Sequence, residues 1–106
     1  MPPDRELPVV WTERAIADLE AIGAYIALDN PVAAERWVAS LIAVVSKAAF
    51  APYACRQVPE LGREDIREAL LRRYRVVYRV KAERLEVLSV FEGHRLFPAD
   101  VEPEET

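Results

Sequence analysis

Cysteine, histidine and glycine are scarce in this 106-residue chain, and each scarcity closes off a class of function. The single cysteine, Cys55, cannot staple the chain with a disulfide and cannot build a structural zinc site. One histidine, His94, excludes a multi-histidine metal centre, so the sequence predicts a cofactor-free domain in a reducing, cytoplasmic setting. The three glycines, Gly23, Gly62 and Gly93, are scattered, so there is no Gly-rich loop to cradle a phosphate. No nucleophile sits in a Gly-x-Ser-x-Gly elbow, and a catalytic triad has no evident members. The uninterrupted apolar run at residues 41–45, which no other exceeds in length, is far shorter than the roughly 20 residues that span a bilayer. No basic segment precedes an apolar stretch in the manner of a signal peptide.

What is present is the balance of a folded protein: 52% hydrophobic and 30% charged residues, in a length suited to one core. We expect a single domain over residues 1–106, with a folded core at about 7–97 and an acidic, flexible tail at 99–106. The net charge of −4 conceals a strong asymmetry. Between residues 66 and 82 lie Arg67, Arg72, Arg73, Arg75, Arg79 and Lys81 against the single acid Glu68. A basic segment therefore sits in a mildly acidic protein.

Periodicity then lays out the elements. Residues 7–12 are short and β-prone, with Pro8 suited to an edge. Thr12 fits an N-cap, after which Ala15, Leu19, Ile22 and Ile26 recur at helical spacing. Asn30-Pro31 ends that helix and opens a second, in which Ala34, Trp37, Val38, Leu41, Val45 and Ala48 share one side up to Pro52. Past Pro59 and Gly62 the period becomes two. Tyr74, Val76, Tyr78 and Val80 alternate with Arg75, Val77, Arg79 and Lys81, predicting one apolar-aromatic and one basic face. Residues 85–92 form a further strand, with Leu85, Val87, Ser89 and Phe91 opposed to Glu86, Leu88, Val90 and Glu92; residues 81–84 make the turn before it and residues 66–71 a third antiparallel strand. The predicted architecture is α+β: an N-terminal strand, a helical hairpin, then a three-stranded antiparallel sheet with the hairpin packed on one face.

Three groups could carry chemistry. Arg75, Arg79 and Lys81 recur on one side of a strand at about 6.6–6.8 Å per two residues, close to the step of a phosphate backbone. The same row suits carboxylates of a protein partner, or an ordinary charged outer face. Glu60, His94 and Arg95 are the acid–base candidates: a histidine moves protons near neutrality and an arginine stabilises a crowded phosphate. Cys55 beside Arg56 could be a reactive thiol but fits a half-buried filler better, and Trp11 and Trp37 fall on apolar periodicities that place them in the core.

Residues 11–26, Asn30-Pro31, Arg56-Gln57-Val58-Pro59-Glu60-Leu61, Ile66-Arg67-Glu68, Tyr74-Arg75-Val76-Val77-Tyr78-Arg79-Val80 and the closing Gly93-His94-Arg95 together resemble the RelE/ParE toxin superfamily. The likeness covers about residues 7–97. It implies a growth-inhibiting toxin of a type II toxin–antitoxin, or plasmid-stabilisation, system, bound by an antitoxin encoded alongside. RelE-like members cleave mRNA on the ribosome; here Arg75 and Arg95 match two of their arginines. Their lysine pair is replaced by Ile66 and Glu68, and Val101 stands where a C-terminal tyrosine is expected. The YoeB-like pattern finds Glu60 and Arg75 in place, with His94 one position off. ParE-like members instead inhibit DNA gyrase by protein contact, and the missing lysines favour that branch. On it, Arg67, Arg72, Arg73, Arg79 and Lys81 are the candidate binding residues.

Overall fold

A computed structural model describes residues 6–103. Strand β1 (Val9–Trp11) leads into helix α1 (Glu13–Ala27) through Thr12. The Thr12 hydroxyl accepts the Ala15 N–H at 3.1 Å and donates to the Val87 carbonyl at 2.8 Å, so one side chain both caps the helix and ties it to the sheet. Helix α2 (Pro31–Ala48) starts as its sequence predicts, with Asn30 Oδ1 accepting the Ala33 N–H at 3.0 Å and proline at the first turn. A short 3-10 turn (Pro52–Ala54) follows, pinned to the sheet where the Tyr78 hydroxyl donates to the Pro52 carbonyl at 2.6 Å.

The molecule is α+β, but the sheet has five strands where three antiparallel ones are expected. To β3 (Ile66–Leu71), β4 (Tyr74–Val80) and β5 (Leu85–Glu92) are added β1, parallel to β5, and β2 (Arg56–Gln57), antiparallel to β3, in the order β1-β5-β4-β3-β2. A two-residue strand has no readable alternation, and the parallel pairing of Val9 with Leu85 is set by chain closure rather than local pattern.

Both faces of the sheet are covered. On one, Ala15, Leu41, Val45 and Ala48 of the helices pack on Val76, Tyr78, Val80, Leu85 and Val87, with Trp37 edge-on to Tyr74 at 5.3 Å. Trp11 also packs against this cluster, so both tryptophans and the half-buried Cys55 serve the core. On the other face Val58, Ile66, Val77, Leu88, Phe91 and Val101 form a second cluster with Leu61 and Phe97.

Two expectations change here. The alternation along β5 reverses part-way: a register irregularity opposite Val77 and Tyr78 places Val90 with Leu85 and Val87, and Phe91 with Leu88. The chain is also not loose from Ala99, because Val101 is only 6% exposed, Asp100 pairs with Arg14 at 2.9 Å and Glu102 with Arg63 at 3.2 Å. An apolar anchor between two ion pairs holds this strap on the sheet; residues 104–106 lie outside the described residues.

Candidate functional site

The basic segment does not form an open face. Arg75 and Arg79, expected to project into solvent, are each 7% exposed, because the 58–62 turn and the C-terminal strap fold over them. Their alternation with apolar residues is real; what changes is that carboxylates meet them from within the chain.

Arg75 is the centre of this arrangement. Its two terminal nitrogens donate to Glu60 Oε2 and Oε1 at 2.9 and 2.7 Å, a bidentate fork, while its Nε donates to Glu68 Oε1 at 2.6 Å. Glu68, with a wholly buried side chain, also accepts from Arg56 Nε at 2.5 Å. The guanidinium carbon lies 5.2 Å from the ring centre of Phe91 and 5.6 Å from that of Phe97, so two rings wall the cation on its remaining sides. Local backbone geometry makes this possible. Gly62, at φ +61°, closes the turn that carries Glu60, its N–H donating to the Val58 carbonyl at 3.0 Å. A side chain at Gly93 would press within 3.3 Å of Arg75 Cγ.

The Arg75 fork holds the Glu60 carboxyl down at about 2, from an ordinary 4.5. The same partners push Arg75 further up, Glu60 foremost. Since the folded carboxyl titrates below the unfolded one, the pair's contribution to stability is complete above about pH 4.5 and is lost as the pH falls towards 2. Thermal melts between pH 2 and 6 should therefore show a loss of Tm in that window which Glu60→Gln makes shallower, the remainder coming from other low-held carboxyls such as Asp65. An unchanged slope in the variant would contradict the fork.

The other candidates are placed differently. Arg79 donates to Asp65 at 3.1 Å. Burial works to raise Asp65, but hydrogen bonds from Arg63, and then from Arg79, outweigh it and hold that carboxyl low. Arg67 lies 11% exposed, donating to the Tyr53 and Cys55 carbonyls at 3.2 and 3.0 Å and pairing with Glu64 at 3.1 Å. It ties the 3-10 turn to β3. Arg73 is exposed near Glu92 at 3.5 Å, Arg72 is exposed at φ +53°, and Lys81 is half-buried at the end of β4. His94 and Arg95 are exposed and line a cavity with Asp18, Tyr25, Arg73 and Glu92; that lining includes neither Glu60 nor Arg75. The four residues that a nuclease site would use, Glu60, Arg75, His94 and Arg95, thus fall into two pairs, one locked and one open.

Sequence reasoning missed Asp18, whose carboxylate accepts from Ser89 Oγ at 2.7 Å and the Val90 N–H at 3.0 Å, bracing α1 on β5 at its irregularity. The signal was present: Asp18 stands at helical spacing between Ala15 and Ile22, a lone acid on an apolar face. Asp65 and Arg63 were missed too, since nothing in the 62–65 loop is periodic.

Comparison with known proteins agrees with this fold. The chain is 37% identical over 91 residues to the Sinorhizobium fredii (strain NBRC 101917 / NGR234) protein named "Putative toxin Y4kP", covering 83% of this chain and 90% of that protein. It superposes with a TM-score of 0.68 on a chain of the "Chromosomal ParDE TA system from P. aeruginosa", at 23% identity, covering 82% of this chain and 96% of that one. The family described as "ParE toxin of type II toxin-antitoxin system, parDE" matches residues 9–97, from the first residue of β1 to Phe97 against Arg75. Strand, helical hairpin and sheet therefore lie within one family match, which stops just short of the strap, and the chain belongs to the ParE toxin family.

Proposed function

We propose that this chain arrests growth by inhibiting DNA gyrase through protein contact, and that a cognate antitoxin, bound as a hetero-oligomer, holds it in check. The observation that carries the choice of target is the state of Arg75. Ribosome-dependent cleavage of mRNA, the other activity of the superfamily, needs a cation free to meet a phosphate and a carboxylate or imidazole free to move a proton. Arg75 instead faces two carboxylates, and the carboxyl of Glu60 is held so low that it is a weak base at neutral pH. His94 and Arg95 lie on a different cavity. Inhibition by contact requires no proton transfer, and the exposed Tyr25 and Arg73, which line one cavity, are of the aromatic and cationic types that contact surfaces use.

The test is pulsed expression in growing cells with incorporation of thymidine and of methionine followed together. DNA synthesis should stop first. His94→Ala and Glu60→Gln should change toxicity by less than about 3-fold, whereas loss of a general acid or base from a nuclease lowers activity by about 10²–10⁴-fold. Translation stopping first, with either variant inactive, would favour RNA cleavage.

A further inference from the structure

Among the described residues every arginine has a carboxylate partner within 4 Å except Arg36, Arg72 and Arg95. Two of these three meet. Arg36 on α2 and Arg72 in the β3–β4 turn line one cavity of about 340 Å³ with Trp37, Ser40 and Leu71, and no acid is among its lining residues. Helical spacing puts Arg36, Trp37 and Ser40 on the flank of α2 opposite Val38 and Ile42, which line a groove with Leu19 and Gly23 of α1. The cavity is therefore separate from the crevice between the helices.

Arg72 has a second peculiarity. Its φ of +53° lies in the left-handed region, which costs a residue with a Cβ roughly 1–2 kcal/mol and at a two-residue hairpin turn favours glycine or asparagine. An arginine thus occupies a strained position with its charge unmatched, as happens where strain serves a binding site.

We propose that Arg36 and Arg72 form a clamp for a carboxylate side chain of a polypeptide partner; on the function proposed above, that partner is the antitoxin. Planar guanidinium forks receive a planar carboxylate bidentately, and the Ser40 hydroxyl supplies a further donor. Trp37 and Leu71 offer an apolar wall to the stem of an aspartate or glutamate and to its neighbour in the peptide. The volume is at the low end of the range for small-molecule pockets, about 300–1,000 Å³, and suits one or two side chains. A nucleic-acid strand fits less well: it needs a row of free cations, yet Glu35 adjoins Arg36, Arg73 is matched by Glu92, and the chain carries a net charge of −4.

The experiment measures affinity between the full chain and the antitoxin encoded beside it, by titration calorimetry. The double reversal Arg36→Glu/Arg72→Glu should weaken binding by about 30-fold or more, the scale for breaking an interfacial hydrogen-bonded charge pair. Arg95→Glu, at the third unmatched arginine, should change it by less than about 3-fold, and replacing the contacting antitoxin carboxylate by lysine should restore part of the loss. Arg72→Gly separates binding from structure: it should weaken the complex while raising the Tm of the free chain, because the strain is relieved. Binding within 2-fold of wild type in the double reversal overturns the clamp while leaving the antitoxin partnership intact. Absence of any complex with the wild-type chain overturns both. Binding of a single-stranded RNA or DNA 12-mer that is lost in the double reversal overturns the assignment to a peptide.

Discussion

Replacing Glu68 by alanine should destabilise the protein by about 3–5 kcal/mol, the cost of removing one member from a buried ion pair. The Glu68 carboxylate is wholly buried and accepts from Arg75 at 2.6 Å and from Arg56 at 2.5 Å. Without it, the Nε–H of Arg75 faces an apolar shell of Phe91, Phe97 and Val77 with no acceptor. Glu60 still holds the other end of the guanidinium, which places the effect near the lower bound. Each kcal/mol shifts the Tm of a domain this size by about 4–8 °C, so a fall of roughly 12 °C or more is expected. The double variant Glu68→Met/Arg75→Met should recover much of the loss, because replacing both charges removes the uncompensated one. A change below about 1 kcal/mol in Glu68→Ala, read from urea denaturation, would mean that the carboxylate reaches water and is not the buried partner of Arg75 and Arg56.

Leu41→Ala should cost about 2–5 kcal/mol. Leu41 is fully buried in the cluster that joins α2 to β4 and β5, and its neighbours Val45, Val76, Tyr78 and Val87 are held by the sheet and cannot collapse far into the space left. Ile42, next in sequence, is 42% exposed on the flank of the helix, and Ile42→Ala should stay within about 1 kcal/mol. The contrast between adjacent residues tests which side of α2 faces the sheet. Equal losses at the two positions would show that the helix is rotated from the orientation described.

The helices were legible because their signals are local. Thr12 and Asn30-Pro31 announce helix starts by the hydrogen bonds their side chains make three residues on, and a 3.6-residue apolar stripe has only one side to bury. The strands of the C-terminal half were legible for the same reason, through the period of two in residues 74–80. What period cannot report is whether the polar side of a strand meets water. Arg75 and Arg79 look identical, from sequence, to arginines on an open face; their burial depends on Glu60, Glu68 and Asp65, which come from a loop and from another strand. The strap was hidden likewise, since Val101 is a single apolar residue among acids and prolines. The family likeness located the matched residues but not their ionic state: Glu60 and Arg75 match a nuclease pattern in sequence, and in the structure they are bound to each other.

The most direct test of the proposed gyrase inhibition is a reconstituted supercoiling reaction with purified gyrase, relaxed plasmid and the chain freed of antitoxin, run beside a primer-extension map of mRNA on translating ribosomes. The account predicts loss of supercoiling at roughly stoichiometric toxin, restored by added antitoxin, with the mRNA map unchanged. Discrete cuts in ribosome-bound mRNA with supercoiling untouched would contradict it, and Glu60, Arg75, His94 and Arg95 would then be the residues to re-examine as a nuclease site.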